Sequence, residues 1–203
     1  MIHRWTKRGF DIVGALAGLV LLSPLLVALA LWVRLDSPGP ALYRQERVGR
    51  QGRIFRIHKF RTMRQGAGGP PLTVGRDPRI TRAGHLLRRT RLDELPQLLD
   101  VLRGAMSLVG PRPEVPRYVD LCPPALRARV LAVRPGVTDP AALAFIDEAE
   151  RLARAADPEH EYVQHILPQK MAAAADYAER ATLWTDLGVL ARTLRTLWGA
   201  AVK

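Results

Sequence analysis

The residues from Ile12 to Val33, IVGALAGLVLLSPLLVALALWV, run for 22 positions without a charge, between Asp11 and Arg34. A run of that length meets the requirement of a bilayer-crossing helix, about 20 residues. It restricts the segment to a membrane element or a fully buried core helix. A cleaved secretory leader does not fit: its apolar core runs to about 7–15 residues and a small-x-small cleavage site follows it, whereas no such site stands before Arg34. Ser23-Pro24 interrupts the run near its centre. Proline has no N–H to donate and its ring collides with the carbonyl four residues back, so a kink or break is expected there. Each arm then holds 10–12 residues, about 15–18 Å of helix, or roughly half a bilayer. The Ser23 hydroxyl is suited to satisfy a backbone group that the break sets free.

Basic residues lie on both flanks, with Arg4, Lys7 and Arg8 before the run and Arg34, Arg44, Arg47, Arg50 and Arg53 after it. Such residues favour the cytoplasmic side of a membrane, and a straight span would put one cluster outside. A helix-break-helix that enters and leaves by the same face keeps both inside. A re-entrant hairpin is therefore expected, with a kinked single span as the alternative. The whole chain is basic as well: 31 Lys and Arg face 19 Asp and Glu in 203 residues, a formal charge of +12. That charge points to a polyanion, which could be nucleic acid, anionic lipid or a phosphorylated substrate. No nucleic-acid-binding module is recognisable and aromatic residues are only 6%, so stacking platforms are scarce and nucleic acid is the weakest of the three. The single cysteine, Cys122, excludes a disulfide-stapled scaffold and fits a reducing compartment.

Beyond the apolar run, Leu42–Val48 and Arg53–Phe60 flank Gly49-Arg50-Gln51-Gly52 and read as a β-hairpin. Gln65 to Arg79 is rich in Gly and Pro and reads as an exposed, mobile loop. Leu95, Leu98, Leu99 and Leu102 form a helical stripe within Leu92–Leu102, with Pro96 tolerated in the first turn. Val109-Gly110-Pro111-Arg112-Pro113 reads as a rigid turn. Ala125–Val133 and Ala141–Ala156 read as further helices. Leu183, Trp184, Leu187, Leu190, Leu194, Leu197 and Trp198 make a broad apolar face with Arg180, Arg192 and Arg195 beside it. Such a helix suits either the headgroup layer of a membrane or the core of the domain. The fold class expected from these elements is α+β, mainly helical. It has an N-terminal re-entrant helix (residues 1–36), and a second part (residues 37–203) with a small hairpin and amphipathic helices on the membrane face.

The densest chemistry is Arg88-Arg89-Thr90-Arg91-Leu92-Asp93-Glu94. Adjacent carboxylates on a helix point about 100° apart and can hold separate roles. A helix N-terminus and three arginines should keep such a carboxylate ionised, suited to attack on phosphorus or to hold a divalent cation. Acidic residues in a first helical turn are also ordinary caps. Lys59 and Arg61 end the hairpin, and Arg112 is clamped between Pro111 and Pro113; guanidinium forks match phosphate oxygens. The five histidines show no metal-ligand spacing, and neither a Walker-type loop nor GxGxxG is present.

Seven short motifs occur in order: Lys7-Arg8-x-Phe10-Asp11, Asp36-Ser37-Pro38-Gly39-Pro40, Gln45-Glu46-Arg47-Val48-Gly49, Lys59-Phe60-Arg61-Thr62-Met63, Asp77-Pro78-Arg79-Ile80-Thr81, Leu92-Asp93-Glu94-Leu95-Pro96-Gln97 and Ser107-Leu108-Val109-Gly110-Pro111-Arg112-Pro113. Each is weak alone. Together with the broken apolar run they resemble the bacterial sugar transferases, the monotopic polyprenyl-phosphate phosphoglycosyl transferases, in the small form that holds the catalytic unit alone. The resemblance runs to about Val137 and is weaker beyond it.

The resemblance implies that Asp93 is the nucleophile. It would attack a UDP-sugar, release UMP and pass the phosphosugar to polyprenyl phosphate (undecaprenyl phosphate), the first membrane step of glycoconjugate synthesis. It further implies that Glu94 holds Mg²⁺, or Mn²⁺, and that Lys59, Arg61, Arg88 and Arg112, with Pro111 and Pro113 around the last, bind phosphate. Ser23 and Pro24 would be the membrane break, lipid a partner, and the cytoplasmic face of the bacterial inner membrane the location. Whether the chain forms a homodimer, and which sugar it carries, stay open. The sequence departs from the family at Arg91, where many relatives have a small or neutral residue. It also has Asp139-Pro140-Ala141-Ala142 in place of a Gly-aromatic-Gln stretch. Two other readings have their own signatures: a non-catalytic membrane scaffold would be indifferent to Asp93, and a soluble acceptor would leave the apolar run without a purpose.

Overall fold

A computed structural model describes residues 2–66, 68, 72–75, 77–139, 145 and 148–201, without the side chains of residues 2–4 and 197–201. The uncharged run forms α1 (Ile2–Leu21) and α2 (Ser23–Asp36), bent by 64° at Leu22. Pro24 removes the N–H that would have met the Val20 carbonyl, and the Ser23 hydroxyl donates to that same oxygen at 2.8 Å. Neither helix alone is long and apolar enough to cross a membrane; by length and composition the bent pair is. Its inner face is part of the protein core. Ala15 packs with Leu98, Val101 and Leu108, and Leu29 and Val33 pack with Phe60, Ala83 and Leu87. Its outer face leaves Trp5, Val13, Leu16, Val20, Leu21, Val27, Leu31 and Leu35 exposed. A row of bare large apolar side chains on one element marks a surface that meets a membrane or another protein.

The hairpin follows as β1 (Leu42–Val48) and β2 (Ile54–Phe60), antiparallel with Tyr43 opposite Lys59 and Val48 opposite Ile54. Its turn places Gln51 at a φ of 58°. Next comes α3 (Arg82–Arg89), capped by the Thr81 hydroxyl, which accepts from the Gly84 N–H, and by Asp36, which accepts from the Ala83 N–H. The expected single helix over Leu92–Leu102 is two pieces. Arg91, in the left-handed region at φ 58°, starts a 3₁₀ turn over Leu92–Gln97, and α4 covers only Leu98–Leu102. Pro96 sits inside the tighter turn.

After β3 (Ser107–Val109), α5 (Pro116–Asp120) and α6 (Pro124–Val130), the chain returns as β4 (Gly136–Thr138), parallel to β3. The rigid turn expected at Val109–Pro113 thus begins in a strand, and the helix expected over Ala125–Val133 runs one residue earlier and stops at Val130. Gly136 is required by this pairing: a Cβ there would lie 2.1 Å from the Gly110 nitrogen.

The C-terminal part comprises α7 (Glu148–Arg154), α8 (Pro158–Glu161), a π-helical turn (Tyr162–Ile166), α9 (Leu167–Arg180) and α10 (Leu183–Ala201). Residues 141–144, 146 and 147 of the helix expected over Ala141–Ala156 lie outside the described residues, as do the Leu197 and Trp198 side chains. Leu152, Tyr162, Ile166 and Met171 of this lobe form one core with Tyr118 of α5. Leu72 and Val74, from the loop expected to be mobile, pack against it; residues 67, 69–71 and 76 of that loop are outside the described set. On α10, Trp184 and Leu194 are exposed and Val189 is buried.

Candidate active site

The site is assembled on the 3₁₀ turn after Arg91. β2 packs across this turn, which leaves Asp93 only 8% and Glu94 only 6% exposed. As neighbours in a tight turn, the two carboxylates face different surroundings. Lys59 Nζ donates to Glu94 Oε1 at 3.0 Å, and Arg112 grips the same carboxylate with both arms, at 2.6 Å to Oε1 and 3.3 Å to Oε2. Burial works against the Glu94 charge, but Arg112 and Lys59 outweigh it and hold its carboxyl well below the usual range. Glu94 in turn raises the Arg112 guanidinium, while burial lowers Lys59 despite Glu94.

Asp93 is different. Among the described residues nothing hydrogen-bonds to its carboxylate or forms an ion pair with it. Burial, and then the neighbouring Glu94 charge, push it up to about 6 against the opposing fields of Lys59, Arg112 and Arg88. The sequence led us to expect a carboxylate kept fully ionised by a helix terminus and three arginines. The turn is 3₁₀ rather than an α-helical start, and desolvation outweighs the cations. The aspartate is buried and without a partner, and it lies within reach of three positive fields.

Arg112 is held through its backbone. Its N–H donates to Asp139 Oδ2 at 3.2 Å, the Pro111 carbonyl accepts from Gly136 N–H at 2.9 Å, and the Pro113 carbonyl accepts from Arg47 Nη1 at 2.9 Å. Pro111 and Pro113 are buried and fix the turn, while the Arg112 side chain between them is half-buried. Upstream, α1 braces the strand that feeds this turn. Asp11 Oδ1 accepts from Ser107 Oγ at 2.9 Å and from Leu108 N–H at 3.0 Å, and Lys7 donates to the Val109 carbonyl at 3.2 Å and pairs with buried Asp186. Arg8 donates to the Val101 and Leu102 carbonyls at 2.7 and 3.0 Å, closing the end of α4. Lys7, Arg8 and Arg47 flank the apolar run in the sequence, yet all three turn inward.

Arg88 belongs to the group around Asp93. Its Nε donates to Thr62 Oγ1 at 2.9 Å and its Nη1 to Thr73 Oγ1 at 3.0 Å, two hydroxyls that aim the fork, and its guanidinium is lowered by burial and raised by Asp93. Arg61 does not belong to it. Its guanidinium donates to the carbonyls of Val33, Ser37, Pro38 and Pro40 and to the Ser37 hydroxyl at 2.6–3.2 Å, so it fastens the exit of α2 to the hairpin. The expectation that Arg61 binds phosphate is corrected on that ground. Two residues apart on one strand, Lys59 and Arg61 would share a face, but β2 ends at Phe60, so that alternation does not carry to Arg61, whose fork turns to the exit of α2. Sequence reasoning missed Asp139, Thr62 and Thr73, which hold Arg112 and Arg88. It also missed Glu114, whose only signal was its place directly after Pro113.

Among the described residues no three His, Cys, Asp or Glu side chains converge to cage a metal ion. Magnesium does not need a protein cage: it keeps waters and is met by one or two carboxylates plus substrate phosphates. Asp93, without a partner, and Glu94 Oε2, held only at 3.3 Å, supply that donor set, so the residues fit the ion in this form.

A family model described as bacterial sugar transferase matches residues 2–200. The chain is 37% identical over 201 residues to the UDP-N-acetylgalactosamine-undecaprenyl-phosphate N-acetylgalactosaminephosphotransferase of Aeromonas hydrophila, covering 97% of this chain and 44% of that protein. It is 42% identical over 196 residues to the UDP-glucose:undecaprenyl-phosphate glucose-1-phosphate transferase of Caulobacter vibrioides, covering 94% and 69%. With the exopolysaccharide production protein PSS of Rhizobium leguminosarum bv. phaseoli it shares 52% over 109 residues, covering 52% and 54%. The chain thus spans about half the length of two of these three relatives and about two thirds of the other. A match along nearly its full length makes this chain a member of the bacterial sugar transferase family.

Proposed function

We propose that the chain transfers a phosphosugar from a UDP-sugar to a polyprenyl phosphate through an intermediate on Asp93. An Asp93 carboxylate oxygen attacks the sugar-bearing phosphorus; the bond to the bridging oxygen breaks, and UMP leaves with the electron pair. A phosphate oxygen of the polyprenyl carrier then attacks the same phosphorus. The Asp93–phosphorus bond breaks, the carboxylate is regenerated, and a polyprenyl-diphosphate sugar is released. The observation that carries this reading is the contrast within one dipeptide, a buried Asp93 without a partner beside a Glu94 that holds Lys59 and Arg112. A nucleophile must be free to reach its electrophile, whereas an orienting carboxylate need not be.

Lys59, Arg88 and Arg112 are suited to meet phosphate oxygens in both half-reactions, because donor and acceptor alike present phosphate. Glu94, with Asp93, would hold Mg²⁺ or Mn²⁺, and the ion would supply neutralisation of the diphosphate charge. The bent α1–α2 pair with its bare outer face supports a re-entrant membrane segment that keeps the site on the cytoplasmic face of the bacterial inner membrane, where an acceptor with a long lipid tail resides.

A panel of UDP-sugars with undecaprenyl phosphate and Mg²⁺, scored by UMP release, tests the reaction. One sugar should give UMP, and Asp93→Asn should give none; a fully active Asp93→Asn protein, or no UMP with any UDP-sugar, overturns the reading. Cysteine-accessibility scanning tests the membrane arrangement. Labels at residues 1–8 and 40–60 should react from the same side; opposite sides would establish a kinked span.

A further inference from the structure

Behind Arg112 lies a second set of buried charges that the reaction does not use. Glu114, two residues on, is buried. Its Oε1 accepts from Tyr162 Oη at 3.1 Å and lies 3.4 Å from Lys170 Nζ, while its Oε2 lies 3.8 Å from Arg47. Lys170 also donates to Glu148 Oε2 at 3.0 Å, and its ammonium sits 5.3 Å from the centre of the Tyr162 ring. Val48 N–H donates to the Glu114 carbonyl at 2.9 Å, so the backbone of this residue is fixed as well as its side chain. Burial works against the Glu114 charge, but Lys170, Arg47 and Arg112 hold the carboxyl below its usual range.

Such a cluster is a poor way to gain stability alone, since apolar residues of similar volume often do as well. It does impose direction. Glu148, Tyr162 and Lys170 belong to the C-terminal lobe; Tyr162 packs on Tyr118 with ring centres 4.8 Å apart, and Tyr162 and Lys170 both meet Glu114, a carboxylate two residues from Arg112. We propose that Glu114, Tyr162 and Lys170 are positioning residues for Arg112: the C-terminal lobe holds the Pro111–Glu114 turn so that the Arg112 fork meets the diphosphate of the sugar nucleotide. Lys170 neutralises Glu114 and fixes its rotamer; Glu114 fixes the turn; the turn fixes Arg112. The proposal rests on the reading of Arg112 as a phosphate ligand in the transferase reaction.

Two measurements separate the two ideas. UMP release by the wild-type protein tests the transferase reading, and the affinity for UDP with Mg²⁺, measured by calorimetry without turnover, tests the network. Tyr162→Phe, Lys170→Met and Glu148→Gln are compared in the full-length protein, with thermal unfolding as the control for folding. Lys170→Met should weaken UDP binding and raise KM for the UDP-sugar by about tenfold, with kcat changed less than about threefold. Tyr162→Phe, which removes one hydroxyl, should act in the same direction by a smaller factor. In an Arg112→Ala background neither substitution should weaken UDP binding further, because the group they position is gone. Lys170→Arg should recover most of the lost affinity. Unchanged UDP affinity and KM in folded variants overturns the proposal, and so does an equal loss in the Arg112→Ala background. If Lys170→Met fails to fold, Tyr162→Phe and Glu148→Gln decide by the same criteria.

Discussion

The turn that carries Asp93 and the cluster around Glu114 use the same residue types and finish them differently. Both bury acidic groups among Lys and Arg, where an ionised side chain costs several kcal/mol unless it is paired. Glu114 is closed off: a tyrosine hydroxyl, a lysine and an arginine surround it. At the other turn Lys59 and Arg112 both go to Glu94, and Asp93 receives only their distant fields. The difference shows where the fold tolerates an unfavourable charge. A closed network holds geometry; a carboxylate left outside one is available for chemistry.

Asp93→Asn breaks this comparison hardest. UMP release should fall by at least about 10³-fold, as expected when a covalent nucleophile is removed. The same substitution should stabilise the protein. An acid raised on folding from 3.8 to about 6 opposes folding once it ionises, by up to about 3 kcal/mol at roughly 1.4 kcal/mol for each tenfold change. The opposition is complete above pH 6, declines between 6 and 3.8, and is absent below. The variant should therefore unfold at a higher temperature than wild type at pH 7.5 and at the same temperature near pH 3.5. A loss of activity with no gain in stability would mean that Asp93 has a partner in solution.

Glu94→Gln should act in the opposite sense on stability. It deprives Lys59 and the half-buried Arg112 of the carboxylate they share and leaves Asp93 to balance both, which costs up to about 3–5 kcal/mol, and UMP release should fall by about 10²–10³-fold. Denaturant unfolding gives the first figure and the enzymatic assay the second. A Glu94→Gln protein as stable as wild type would show that the two cations relax into solvent.

What could be read beforehand followed locality. Pro24 and Ser23 announced the break because the lost N–H and the hydroxyl that replaces it are neighbours in the chain. The hairpin was legible from its glycines, and Arg112 from the two prolines beside it. The parallel pairing of Ser107–Val109 with Gly136–Thr138 was not, because it joins segments separated by two helices. The left-handed Arg91 was not, because nothing in an arginine asks for that conformation. The Asp93 proton affinity depends on burial, which only the packing of β2 over the turn creates. The placement of Lys7, Arg8 and Arg61 shows the same limit: a cation near an apolar segment reads as facing lipid or phosphate, yet these three close backbone carbonyls or a buried carboxylate inside the protein.

Arg61→Met sharpens the comparison from outside the site. If its role is to fasten α2 to the hairpin, the variant should lose about 2–3 kcal/mol of stability while KM for the UDP-sugar stays within about twofold of wild type. Arg88→Met, at a fork aimed by Thr62 and Thr73, should raise that KM by about tenfold. A rise in KM with Arg61→Met as large as that with Arg88→Met would return Arg61 to the phosphate-binding group.

The smallest effect is a single proton. In metal-free protein the side-chain carboxyl carbon of Asp93 should titrate in NMR with a midpoint of about 6, and Glu94, held below the usual range by Arg112 and Lys59 against the effect of burial, should show no transition near it. Burial and the Glu94 charge both raise Asp93, and Glu94→Gln separates them. Without the neighbouring negative charge, and with Lys59 and Arg112 left to Asp93, the midpoint should fall toward the ordinary aspartate value. Added Mg²⁺ should lower it in wild type as well, since a nearby divalent cation favours the ionised form. A midpoint that stayed near 6 in Glu94→Gln would make desolvation the sole cause, and the division of roles between the two carboxylates would then owe nothing to the pairing of Glu94.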